Sequence, residues 1–167
     1  LALAFAFVTA GKVMRYPEGS DLMKKISLSI RKGANAYLKR QYKIVLIFFG
    51  VMFVVLSIMA FLKFLTPYVP FAFVTGGFFS ALSGFIGMKI ATYANARTAN
   101  ACQNSLNSGL RVAFSAGSVM GLSVVGLGLL DIAVWFFLLR FVFNLDSAAI
   151  TSAMLTFGMG ASSMALF

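Results

Sequence analysis

The sequence predicts an all-α, polytopic transmembrane helical bundle, and three observations predict it. Of the 167 residues, 60% are hydrophobic and 11% charged, with a mean hydropathy of +0.94. A soluble domain carries about 25% charged residues. Three interior stretches hold no charge at all: Ile44–Leu62 (19 residues), Phe64–Met88 (25) and Val112–Leu130 (19). At 1.5 Å per helical residue, about 20 apolar residues cross a hydrocarbon core of roughly 30 Å, so each stretch is long enough to span. The third observation is where the charge lies. Nine of the fourteen Lys and Arg fall between Lys12 and Lys43, three more are Lys89, Arg97 and Arg111, and only Lys63 and Arg140 lie elsewhere. This alternation follows the positive-inside pattern and predicts that 12–43 and 89–111 are cytoplasmic, with the loops near Lys63 and Asp146 outside. The net charge of +10 reflects that placement, so the partner it indicates is the lipid bilayer and no nucleic acid.

The chain reads as one transmembrane domain over 1–167, with helices near 1–16, 26–64, 71–100, 106–143 and 146–167. Eleven uncharged residues precede Lys12, about half a crossing, which reads as the exit half of a first helix. A signal peptide would place its positive charges before the apolar run, not after it. Pro17-Glu18-Gly19 makes a turn, and Ser20 or Asp21 can cap the helix that follows. From Ile26 to Tyr42, apolar or small residues recur at helical spacing with Lys and Arg between them, giving an amphipathic segment that runs without a break into the second span. A basic amphipathic stretch can lie on anionic lipid, but this continuity favours a cytoplasmic extension packed on neighbouring helices. The second span, Ile44 to about Leu62, is bulky and aliphatic, which suits lipid or large neighbours.

Thr66-Pro67 and Pro70 punctuate a short outer loop. The third helix then carries a thin face: Gly84, Gly87, Ala91, Ala94 and Thr98 recur in steps of three and four, which allows close backbone approach in lipid. Lys89, Asn95, Arg97 and Asn100 carry the same helix into water. The fourth helix has small residues at Gly109, Ala113, Gly117 and Gly121, and these are predicted to face another helix. Asp146, Ser147 or Asn144 can cap the fifth, whose GMGASS run gives another thin face. Trp135, near Phe136, Phe137 and Arg140, reads as an interfacial aromatic belt.

Chemistry is sparse. There is no His, a single Cys (Cys102) and only four acids, Glu18, Asp21, Asp131 and Asp146. Metal-assisted phosphoryl chemistry needs carboxylates that converge on the ion. Glu18 and Asp21 sit three residues apart in one turn and read as helix caps. Asp131 is the one acid inside a hydrophobic run. Counted from Val112 it lies about 28 Å along its helix, which predicts an interfacial acid within reach of water. Arg97, with Asn95, can meet an anion, a lipid headgroup or a neighbouring carboxylate, since its planar fork matches oxyanions. The residues themselves therefore supply no catalytic, substrate-binding or metal site, and leave Arg97, Asn95 and Asp131 as structural or interface candidates, with Gly84, Gly87, Gly117 and Gly121 as packing positions.

GFIGMKIATYANARTA, LRVAFSAGSVMGLSVVGLGLL and GMGASSMALF, with IRKGANAYLKRQY before them, resemble in order and spacing the membrane-integral, ion-translocating inorganic pyrophosphatases, from about Ile30 to Phe167. The resemblance implies the first five of roughly sixteen helices. It implies hydrolysis of pyrophosphate coupled to proton or sodium pumping, magnesium as cofactor, potassium in some members, a homodimer, and a prokaryotic cell membrane. The family's acidic pyrophosphate-binding segment follows the helix ending in SSMALF and lies beyond Phe167. A secondary transporter or structural bundle without hydrolysis is the alternative reading.

Overall fold

The computed structural model describes residues 1–165. Five α-helices follow one another: α1 (Ala2–Met14), α2 (Asp21–Phe61), α3 (Val69–Asn104), α4 (Leu106–Phe137) and α5 (Ser147–Met164), with a π-helical turn, Leu138–Val142, prolonging α4. No strand occurs among the described residues. Leu166 and Phe167, the end of the expected fifth helix, lie outside them.

Local chemistry sets the helix ends. Ser20 caps α2 by accepting from the Met23 amide at 3.4 Å, so α2 begins at Asp21, five residues before the apolar periodicity starts. Its other end closes with Lys63 in the left-handed region (φ 62). The Lys63 amide donates to Ala60 O at 3.0 Å and that of Phe64 to Met59 O at 3.1 Å, the paired bonds that close a helix when its next residue turns left-handed. Pro70 sits in the first turn of α3, where a missing N–H costs nothing. Ser105 accepts from the Ser108 amide at 3.1 Å and opens α4. Asp146 opens α5, accepting from Ala149 at 3.3 Å.

Among the described residues, three helical stretches are long and apolar enough to cross a membrane: Asp21–Phe61, Val69–Asn104 and Leu106–Val142. The chain divides into two compact units, Leu1–Lys39 with Ser83–Gly126, and Arg40–Leu82 with Leu127–Phe167. In the first, Ala6, Val13, Ile90, Ala94, Ala101, Val112, Ala116 and Val119 form one buried cluster drawn from α1, α3 and α4. Half of these are alanines, which lets the helices approach closely. A Cβ on Gly87 would meet Met120 at 2.9 Å, and one on Gly126 would meet Leu3 at 2.8 Å.

The second unit holds two clusters. Ala72, Trp135, Leu139, Ile150, Ala153 and Phe157 join α3, α4 with its π turn, and α5. Val45, Phe49 and Phe73 join α2 to α3, with the Phe49 and Phe73 rings 5.1 Å apart. The tightest crossing is between α3 and α5. A Cβ on Gly76 would strike the Phe157 carbonyl, and one on Gly160 the Phe73 carbonyl. Backbone meets backbone there, so neither position has room for a side chain.

The predicted close contact at Gly117 and Gly121 is not made among the described residues: nothing lies within 4 Å of a Cβ at either, and both are exposed. The small side chains leave space, but α1 and α3 engage α4 through Ala116, Val119 and Gly126 instead. Gly84 is likewise exposed. Trp135, expected in an aromatic belt, is 9% exposed and donates its indole N–H to Thr75 Oγ1 at 2.7 Å.

Candidate functional site

The strongest polar constellation lies in the first unit, where the α1–α2 turn meets α2 and α3. Glu18 Oε1 is 2.5 Å from the Arg31 guanidinium and 2.8 Å from that of Arg97. The three side chains are 20%, 16% and 10% exposed. Arg97 also donates to the Tyr93 carbonyl one turn back at 2.6 Å, and the Arg31 guanidinium stacks 3.9 Å from the Tyr93 ring centroid. One carboxylate thus holds two cations from two helices, and Tyr93 serves both.

Gly19 makes the geometry possible. Its φ of +90 is a left-handed conformation open to glycine without strain, and a Cβ there would meet Met23 Sδ at 2.6 Å and Asn100 Oδ1 at 2.8 Å. Asn100 in turn donates to the Pro17 carbonyl at 3.4 Å. The hydrogen bond from Arg31 holds the Glu18 carboxyl below the usual carboxylate range; burial opposes this, and the charges of Arg31 and Arg97 reinforce it.

This corrects the reading of Glu18 as a helix cap: capping falls to Ser20, and Asp21 pairs with Lys24 at 2.9 Å. Sequence reasoning missed the role of Arg31, because a pairing across thirteen residues and a turn has no periodic signal. Among the three partners expected for Arg97, the structure supplies a carboxylate. Asn95 is two residues away, about 200° around the helix, and exposed. It lines an open groove of about 480 Å³ with Gly87, Ala91, Thr98, Ala113 and Gly117. Asn95 and Arg97 therefore do not act together.

In the second unit, Asp131 differs from its expectation. It is 2% exposed, beside the Thr75 hydroxyl, and its Oδ2 has no hydrogen-bond partner among the described residues. Thr75 also donates to the Ala72 carbonyl at 3.2 Å. The count along α4 from Val112 did not foresee that α3 packs over Asp131 and shuts it from water. Among the described residues, no three of His, Cys, Asp or Glu group together as metal ligands. Glu18 is engaged by arginines, Asp21 by Lys24, and Asp146 by an amide, so these residues do not fit a magnesium site.

Three long apolar helices among the described residues, each able to cross a membrane, define an integral membrane protein of the polytopic helical class. The family profile described as inorganic H+ pyrophosphatase matches residues 1–167, and the chain belongs to that family. It is 56% identical over 175 residues to a Bacteroides thetaiotaomicron protein named for potassium-stimulated, pyrophosphate-energized sodium pumping. It is 40% identical over 167 residues to a potassium-insensitive, pyrophosphate-energized proton pump of Moorella thermoacetica. Each match takes in 100% of this chain and 24% of the relative, so the chain spans about a quarter of their length. A potassium-stimulated sodium pump of Thermotoga maritima is 40% identical over 136 residues, 80% of this chain and 18% of that protein.

Proposed function

We propose that this chain is part of a membrane pyrophosphatase that couples hydrolysis of inorganic pyrophosphate to translocation of protons or sodium. The observation that carries this is the match of the whole chain to pyrophosphate-energized pumps. Relatives named for sodium pumping, 56% and 40% identical, and for proton pumping, 40% identical, both match, which supports the coupled activity without selecting the ion. Magnesium belongs to the proposed full-length enzyme, in which it would neutralise pyrophosphate and its developing charge. Its ligands would come from elsewhere in the full-length protein. The proposal includes a homodimer in a prokaryotic cell membrane, with 12–43 and 89–111 on the cytoplasmic side.

Within that reading, the Glu18–Arg31–Arg97 cluster is a fastener. Its one carboxylate is shared by two guanidiniums, and it ties the turn before α2 to the polar end of α3, so these ends stay in one arrangement at the membrane surface. The test is phosphate release from purified full-length protein given pyrophosphate, with and without magnesium. Magnesium-dependent release supports the proposal. No release from folded protein overturns it in favour of a transporter or structural bundle.

A further inference from the structure

The exposed side of α2 carries more pattern than a simple span requires. In the second unit, Ile44, Ile47, Val51, Val54, Ile58 and Leu62 recur in steps of three and four, which keeps them on one side of the helix. Their exposures run from 47% to 61%. Val45 and Phe49, on the opposite side, are buried against Phe73. The stripe begins directly beneath Arg40 and Lys43, both exposed and three residues apart, so they stand over the same side. Neither belongs to any of the three ion pairs among the described residues. The acids of this unit are engaged elsewhere, Asp131 beside Thr75 and Asp146 at the start of α5.

We propose that this face of α2 binds an anionic phospholipid, with the headgroup phosphate on Arg40 and Lys43 and an acyl chain along Ile44, Ile47, Val51 and Val54. The dimensions agree. From Lys43 to Val54 is eleven residues, about 16 Å of helix, and one leaflet of a roughly 30 Å core is about 15 Å deep. The charge agrees too, because two cations without a protein counter-ion at the end of a span attract anionic headgroups. A second copy of the chain fits less well. The stripe itself is built of branched aliphatic side chains, with Gly50 a small residue at its edge, and a two-fold contact would bring two sets of like charges together.

The test uses full-length protein without native cysteines, carrying Ile47→Cys labelled with a fluorophore, in vesicles of phosphatidylcholine and phosphatidylglycerol with one or the other brominated to quench. Two cations at about fivefold each give a preference for phosphatidylglycerol of roughly 30-fold, falling toward one in Arg40→Gln/Lys43→Gln and kept in Arg40→Lys/Lys43→Arg. Should the neutral variant not fold, the wild-type preference should still decline toward one in about 1 M salt, where charges are screened within about 3 Å. An equal response to both lipids, quenching by neither, or a preference unchanged in the neutral variant and in salt overturns the proposal. Loss of quenching on adding inorganic phosphate points to a free-anion site and overturns it as well. So does disulfide-linked dimer formed through Val51→Cys, which makes the face a contact between copies.

Discussion

Replacing Glu18 with Gln removes the one charge that holds Arg31 and Arg97, while keeping the shape of the side chain. Gln can still accept one hydrogen bond, so the loss is that of a charge-assisted pair made neutral, with a second guanidinium left short of a counter-ion. Hydrogen bonds to charged groups contribute about 1.5–3 kcal/mol, and breaking a fully buried ion pair costs about 3–5. Glu18 is 20% exposed, which places the cost near the lower range, about 2 kcal/mol. The assay is thermal unfolding of the full-length protein in detergent across pH. Because the carboxyl is held below its ordinary value, its stabilisation is fully present above the unfolded-state value of about 4.3. It is lost as pH falls through the lower folded value. Wild type should therefore unfold several degrees above Glu18→Gln at pH 7, and the gap should narrow below the unfolded-state value and close once pH passes the lower folded one. Equal midpoints at pH 7, or a gap that persists in acid, would refute the fastener.

Four further outcomes are expected. Gly160→Leu should destabilise by at least about 1–3 kcal/mol, because the Phe73 backbone lies where the new Cβ must go; unchanged thermal stability would deny the backbone contact of α3 with α5. Thr75→Val removes the acceptor for Trp135 and the hydroxyl beside Asp131, for a loss of about 1–3 kcal/mol readable as a lower midpoint. Arg97→Lys cannot reach both Glu18 and the Tyr93 carbonyl and should lose about 1 kcal/mol, less than Arg97→Leu. In a Cys102→Ser background, Ser29→Cys and Ser105→Cys should label from the cytoplasmic side with an impermeant reagent and Ser147→Cys from outside; outside labelling of Ser29→Cys would reverse the proposed orientation.

Much of the fold was legible because one strong signal, the length of the uncharged apolar stretches, acts along the chain. Val112–Leu130 falls inside α4 and Ile44–Leu62 overruns the end of α2 by one residue, and Ser20 and Asp146 act as the caps their side chains suggest. Contacts between distant segments were less legible. The thin face of α3 foretold Gly87 against Met120, yet the same spacing on α4 at Gly117 and Gly121 leaves open space, since a small residue permits contact without requiring it. The backbone crossing used Gly76, inside the Thr75-Gly76-Gly77 run, where no four-residue repeat drew attention. Asp131 and Trp135 looked interfacial by their distance along α4. Packing against other helices buries them: a threonine of α3, sixty residues from Trp135, meets both, and Trp135 also clusters with Ile150, Ala153 and Phe157 of α5. Glu18 was hidden by its ordinariness, a turn acid that geometry turns into the partner of two arginines.

Coupling between pyrophosphate hydrolysis and ion movement is the central proposal for the full-length protein. Inverted membrane vesicles carrying the full-length protein, given magnesium and pyrophosphate, offer the direct measurement. Internal acidification or sodium uptake should begin with pyrophosphate, stop when it is exhausted, and collapse on adding the matching ionophore. Phosphate released at full rate with neither proton nor sodium entering would contradict coupled translocation.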